Sequence, residues 1–371
     1  MKGSYKTAGI MIAVVVILIS IVTPQYKARR TPAKINAGPG VTEVKHLSDY
    51  FSGLKGTAGD TEVYILDSGK PGGTIFVLGG THPNEPAGYL AATLLVENAK
   101  PEEGRLIVIP RGNNSGFSHS DAMEGTPSYI YIKTAHGDRQ FRFGSRATNP
   151  IDQWPDPDIY VHAGSGQTLA GSDTRNLNRA YPGRADGNFT EQVAYGIMQV
   201  IKTEKPDISV DLHEASPEYP VINAMVAHER AMDLIAAEAV MNLQLDGIEM
   251  RLEPSPNNFH GLSHREWGDY SDTLATLMET ANPSQGRLRG KVSSLSIIDG
   301  KDPLYVQAAK QGRLFVPFTD AGHPIEERVG RHISGIMELI KVFDTKKAQH
   351  IIITNVPSYQ DLQKNGLGFY L

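Results

Sequence analysis

Cysteine is absent from all 371 residues. Its absence excludes disulfides and thiolate ligands, so a metal could be held only by His, Asp or Glu. A cysteine-free chain suits reducing and oxidising compartments alike. An excess of basic charge is also missing. The formal net charge is -5 and the pI is ≈ 6.2. Nucleic-acid binders usually carry a basic footprint, so no nucleic-acid partner is expected. Internal repeats and low-complexity segments are lacking too. What remains is ordinary in bulk: 40% hydrophobic and 21% charged residues, at a length that allows a sizeable core in one large domain or two ordinary ones.

The N-terminus is not ordinary. Lys2 and Lys6 precede an apolar run from Ala8 to Val22. A basic start followed by a short, strongly apolar run is the pattern of a secretory signal or signal anchor. The run is shorter than the ~20 residues of a comfortable transmembrane helix. Thr23-Pro24-Gln25-Tyr26 makes a poor cleavage site, and Lys27, Arg29 and Arg30 add charge on the far side. Residues 1–30 are therefore expected to be an uncleaved anchor, or failing that a cleaved signal peptide or a buried helix. An anchor or signal implies membrane contact through this segment and a catalytic domain outside the cytoplasm. Residues 31–59 form a Pro- and Gly-broken linker and lead-in.

Strand signals follow at Glu62–Leu66, Thr74–Leu78 and Arg105–Pro110, with a helix after Glu85. Between Arg111 and Gly183 periodicity disappears; a stretch this long without it is usually functional or mobile. It returns in a helix near Thr190–Lys202 and a strand at Asp207–Leu212. A strand near Val221–Val226, a helix from about Glu229 to Leu243 and a strand near Thr273–Met278 come next. A long amphipathic helix spans Ile325–Phe343. This alternation predicts an α/β fold with a mixed, largely parallel central sheet flanked by helices.

Chemistry-bearing residues sit where strands end. The stretch Gly79-Gly80-Thr81-His82-Pro83-Asn84-Glu85-Pro86 joins a strand to a helix start. At a spacing of three, His82 and Glu85 can converge on one ion. Alone, the pair also fits a surface histidine beside a helix N-terminal glutamate favoured by the helix dipole. His213 closes the strand Ile208-Ser209-Val210-Asp211-Leu212, and sites in open α/β sheets form outside such carboxyl ends. Together the three give a His₂Glu set with a position left for water. Asn178-Arg179 could grip a carboxylate through an amide and a guanidinium fork, or could simply be a solvated loop. Glu279 ends another apolar strand and could move a proton in the same crevice, or could be a salt-bridged carboxylate.

Taken in order, these four blocks resemble the zinc carboxypeptidase-type fold. More narrowly they are similar to its aspartoacylase and succinylglutamate desuccinylase branch. The likeness rests on Gly-Gly-Thr-His82-Pro-Asn-Glu85-Pro-Ala-Gly, on Leu177-Asn178-Arg179, and on Glu279 followed by Pro283, Gln285-Gly286 and Leu288-Arg289. It covers residues 60 to 345. The resemblance implies His82, Glu85 and His213 as ligands of one Zn(2+) per chain. It implies Glu279 as general base and acid, and Asn178 and Arg179 at a substrate carboxylate. An arginine stabilising the oxyanion is also implied, with Arg146 the first choice and Arg175 its rival. The group closing over the substrate stays open among His264, Arg265, Trp267 and Tyr270.

Residues 60–345 are accordingly expected to be a zinc hydrolase domain and 346–371 a C-terminal tail, with the branch's β-rich C-terminal domain not evident. The expected activity is hydrolysis of an amide next to a carboxylate-bearing group, in an N-acyl amino acid. A metallocarboxypeptidase trimming short peptides at the cell envelope is the alternative. A non-catalytic binding protein on the same scaffold is a third reading.

Overall fold

The computed structural model describes residues 2–121 and 124–371. Met1 of the N-terminal segment, and Ala122 and Met123 in the irregular stretch, lie outside them. Eight strands make one sheet: β1 (Glu43–His46), β2 (Glu62–Asp67), β3 (Thr74–Leu78), β4 (Arg105–Ile109), β5 (Ile208–Ala215), β6 (Ala224–Ala227), β7 (Arg251–Pro254) and β8 (Leu274–Ala281). Their order is β1-β2-β4-β3-β5-β8-β6-β7. The pairs β4/β3, β3/β5, β5/β8 and β6/β7 are parallel. The pairs β1/β2, β2/β4 and β8/β6 are antiparallel. The mixed, largely parallel sheet expected from the sequence is present.

Five helices matter to the site: α1 (Lys2–Ala28), α2 (Pro86–Asn98), α3 (Phe189–Glu204), α4 (Ser263–Tyr270) and α5 (Ile325–Lys346). Every residue of β3 and β5 is buried, as in sheets covered on both faces. Ile208, Val210 and Leu212 of β5 turn to the face packed by α2 and α5. Phe76 and Leu78 of β3 turn to the opposite face, where Val193 and Ile197 of α3 and Trp267 of α4 cover them. Side chains alternate along a strand. Asp211 and His213 therefore share the α3/α4 face, while Glu214 points back toward α5.

Three segments without strong periodicity prove ordered. The lead-in supplies the edge strand β1, with Leu47 and Leu54 fully buried. The stretch 111–183 contains two hairpins, Tyr129–Thr134 with Gly137–Arg142 and Ile159–Val161 with Thr168–Ala170. In the tail, Ile352–Thr354 pairs with Lys100–Glu103, and Leu362 and Leu367 join the core. Each is held by a few apolar anchors far apart in sequence, which local periodicity does not register. By contrast α1, from Ser4 to Ala28, is long and apolar enough to cross a membrane and is exposed along its length. Its Thr7–Tyr26 portion, between two lysines, spans about 30 Å, the thickness of a bilayer's hydrocarbon core.

One buried ion pair ties β5, α2 and α5 together. Glu214 Oε1 accepts from Arg328 Nη1 at 2.6 Å, with both side chains 0% exposed. Glu214 Oε2 accepts the Ala87 N–H at the start of α2 at 2.8 Å. Arg328 also donates to the Ile297 carbonyl. Removing one partner of such a pair strands a buried charge. Arg328→Met is therefore expected to lower unfolding free energy by about 3–5 kcal/mol in chemical denaturation. A loss below about 1 kcal/mol would show that Glu214 does not depend on this arginine.

Candidate metal centre

The Gly79–Glu85 turn leaves β3 and doubles back over the carboxyl end of β5. Gly80 allows this with φ +67, and a Cβ there would meet the Pro110 carbonyl oxygen at 2.8 Å. Gly88 lets α2 lie directly on β5, since a Cβ would fall 2.3 Å from the Leu212 oxygen. Thr81 Oγ1 donates to Asp211 Oδ1 at 2.8 Å and fastens the turn to the strand. Glu85 precedes Pro86 at the start of α2 but does not cap the helix. Its carboxylate turns inward instead.

His82, Glu85 and His213 meet there, all buried, with one donor atom of each within 4.8 Å of the others. His82 Nδ1 lies 2.8 Å from Glu85 Oε1, and His213 Nδ1 lies 3.0 Å from Glu85 Oε2. The two Nδ1 atoms are 3.1 Å apart. The far ring nitrogens are both held by acceptors: His82 Nε2 by Asn176 Oδ1 at 2.9 Å, and His213 Nε2 by Asp211 Oδ2 at 2.8 Å. In the neutral form of each ring Nε2 carries the proton, and the two Nδ1 lone pairs and the carboxylate then aim at one point. Such a donor set, with outer support for both rings, could hold a metal ion. Neither Asn176 nor Asp211 drew notice in the sequence. The Asp-x-His spacing on a strand, which puts both side chains on one face, was the signal available.

Electrostatics favour positive charge at this point. Burial works against charging His213, but the Asp211 and Glu85 carboxylates outweigh it and raise its pKa well above the usual imidazole range. Burial, aided by the Arg146 charge, lowers His82 to about 4. Glu279 is the direct register partner of His213 across β5/β8. Burial, reinforced by the Glu85 charge, pushes its carboxyl up to about 8. Its Oε2 is buried and has no hydrogen-bond partner among the described residues.

A cleft of about 490 Å³ opens over the centre and brings His82, Arg146, Asn178, Arg179 and Glu279 to one surface. Asn178 Oδ1 is taken by the Ser263 N–H at 2.8 Å, so its NH₂ is the group left for the cleft. Arg179 donates to the Asn178 carbonyl at 2.6 Å and stacks over Phe259 at 5.0 Å. Burial lowers its pKa to about 10. Arg146 is 43% exposed and reaches Glu85 Oε1 at 3.3 Å. Arg175 is committed elsewhere, with two contacts to Asp156 at 2.6 and 2.9 Å. Among the four candidates for a closing group, His264 lines the cleft and is anchored to Ser255 Oγ at 2.8 Å. Arg265 is bound to Glu229 and Asp269, and Trp267 is buried against Phe76 and Tyr181. Tyr219, which the sequence gave no reason to choose, also lines the cleft.

No protein-family profile and no curated protein matches the chain. Solved structures do resemble it. A succinylglutamate desuccinylase from a Silicibacter species shares 19% identity at TM-score 0.37, over 62% of this chain and 55% of that one. A metallo-carboxypeptidase from Burkholderia cenocepacia shares 11% at TM-score 0.46, over 83% and 66%. The cell shape determinant protein Csd4 from Helicobacter pylori shares 11% at TM-score 0.47, over 83% and 59%. The chain thus spans little more than half the length of the desuccinylase. These are likenesses in the path of the chain, and no residue role is taken from them.

With a divalent ion on the three donor atoms, Asp211→Asn is expected to weaken its affinity about 10–100-fold. Competition against a chelator reads this directly. Unchanged affinity in a folded variant would remove Asp211 from the centre's support.

Proposed function

We propose that this protein is a zinc-dependent hydrolase that cleaves an amide bond next to a carboxylate-bearing group. The observation that carries the reading is the convergence of His82 Nδ1, His213 Nδ1 and the Glu85 carboxylate, with Glu279 beside them in register. The donor set is all N and O and includes two imidazoles, which suits zinc. Zinc held there would supply a Lewis acid for the substrate carbonyl and acidify a water.

The chain's own residues supply the rest. Glu279, with its unpartnered Oε2, takes a proton from the attacking water and passes it to the departing amine. Arg146, at the cleft edge beside Glu85, is placed to hold negative charge developing on the carbonyl oxygen. Asn178 and Arg179 hold the substrate carboxylate. Arg179 makes no ion pair with a described carboxylate, and its buried surroundings strengthen the contact. Anchoring the carboxylate there fixes the amide over the donor atoms, a positioning contribution. This is the chemistry of an N-acyl amino-acid deacylase.

A second observation favours the peptidase reading. Arg146 lines not only the metal cleft but also a second cleft, shared with Ser145, Asn176 and Arg175. A substrate continuing beyond the scissile bond has room there, as a short peptide with a free C-terminus would need. The exposed helix α1 supports a membrane-anchored or exported enzyme acting outside the cytoplasm.

Glu279→Gln is expected to lower kcat by about 10²–10⁴ while the protein keeps its metal. Arg179→Met is expected to act mainly on KM. Assay of acetyl- and succinyl-amino acids beside short peptides separates the two substrate classes. Full activity in Glu279→Gln would overturn the reading, and metal retention without turnover in the wild type would favour a binding protein. The pH profile gives an independent check. Base form accumulates as pH rises through the Glu279 pKa, which burial sets at about 8 and a nearby cation would lower. The rate should therefore rise with pH along a limb below pH 8, and Glu279→Gln should lack that limb.

A further inference from the structure

The turn from Pro150 to Pro155 is built inside out. Its polar side chains face the protein. Asp152 accepts from Ser115 Oγ at 2.6 Å and from Arg30 at 3.1 Å. Gln153 accepts the Thr190 N–H at 2.8 Å and donates to the Thr174 carbonyl at 2.9 Å. The preceding Asn149 donates to Ser118 Oγ at 2.7 Å and accepts the Ile151 N–H at 3.0 Å. Its large apolar side chains face outward: Ile151 is 64% exposed and Trp154 is 74% exposed. A surface turn in water gains nothing from this arrangement. Single exposed apolar residues are common, but two on one turn whose polar groups are all tied inward point to an apolar or interfacial neighbour.

The turn's position says which neighbour. Arg30, two residues beyond the end of α1, is the partner of Asp152. Tyr26 and Arg29, at the same end of α1, line the second cleft together with Ile151. The apolar pair therefore stands at the level where the exposed helix meets the catalytic domain, beside Lys27, Arg29 and Arg30. Tryptophan with one apolar body and one polar edge, next to basic residues, suits the headgroup zone of an anionic bilayer.

We propose that the Pro150–Pro155 turn is a second membrane contact, with Ile151 and Trp154 seated in the surface of the bilayer that α1 enters. Docked this way, the second cleft opens at the lipid surface, and Arg146 connects it to the metal centre. The consequence for substrate rests on the hydrolase reading: the amide cleaved would belong to a molecule held at the membrane surface, its distal part lying in the second cleft.

Fluorescence tests the contact without reference to catalysis. The chain has two tryptophans. Trp267 is 0% exposed and packs against Phe76 and Tyr181, so it is silent to external quenchers. The full chain is reconstituted in phosphatidylcholine/phosphatidylglycerol vesicles, with and without brominated acyl chains. Brominated lipid is expected to quench one emission component, iodide is expected to lose access to it relative to detergent micelles, and Trp154→Phe is expected to abolish both effects. Undiminished iodide quenching in vesicles with no effect of brominated lipid would overturn the proposal and leave the patch to a protein partner. A chain that fails to float with the vesicles would overturn it at the first step. In the same vesicles, Trp154→Ser should slow cleavage of a lipid-tethered amide several-fold and leave a soluble one unchanged. Equal slowing of both would also count against it. An enzyme inactive on every amide would sink the hydrolase reading while leaving the quenching result to stand.

Discussion

A carboxylate buried between two imidazoles governs this molecule. Glu85 lies among groups that exclude water, with His82 Nδ1 and His213 Nδ1 on its two oxygens and the Glu214 N–H as a third contact. Burying an ionised carboxylate is unfavourable unless positive charge or strong donors meet it. Asp211 and Glu85 together hold a proton on His213, and a cation on the two Nδ1 atoms would take that proton's place. Arg146, partly exposed, also contacts Glu85 at 3.3 Å. The same carboxylates would favour a divalent cation there, and the neighbouring Glu279, held toward its acid form by burial and the Glu85 charge, obeys the same electrostatics.

The fold delivers these groups through one strand. β5 places Asp211 and His213 on one face and Glu214 on the other. The first face builds the candidate metal centre; the second locks the strand to α5 through Arg328 and to the start of α2 through Ala87. The same α2 starts directly after Glu85. Its position is therefore set from both sides of the sheet, with a glycine at the point of contact. Rigid positioning of this kind, from a strand end and a helix start, keeps donor atoms within the few tenths of an ångström that metal binding requires.

Much of this was legible in the sequence because strand, turn and helix signals there are local. His82, Glu85, His213 and Glu279 could be placed at strand ends from runs such as Thr74–Leu78 and Ile208–Leu212; the structure gathers the first three at one buried point and lines the cleft beside it with His82, Glu279, Asn178, Arg179 and Arg146. What was not legible depends on partners far away in the chain. Arg175 is tied to Asp156, a partner that its local sequence does not indicate. Asn176 and Asp211 became meaningful only when their acceptor atoms met the ring nitrogens. The order in the lead-in and the tail rests on single buried leucines, Leu47, Leu54, Leu362 and Leu367, which carry no periodic signal. The outward turn of Trp154 follows from hydrogen bonds to residues 21 to 122 positions away, beyond the reach of any local pattern.

The proposed hydrolase depends on His82, Glu85 and His213 holding one metal ion through His82 Nδ1, His213 Nδ1 and the Glu85 carboxylate. X-ray absorption at the zinc edge, on the purified full chain, tests it most directly. One zinc per chain is expected, with two imidazole nitrogens at ~2.0–2.1 Å, a carboxylate oxygen at ~2.0–2.2 Å and a remaining light-atom ligand. One imidazole is expected to be lost from that shell in His213→Ala. A spectrum of oxygen ligands alone, or one that His213→Ala leaves unchanged, would contradict the proposal.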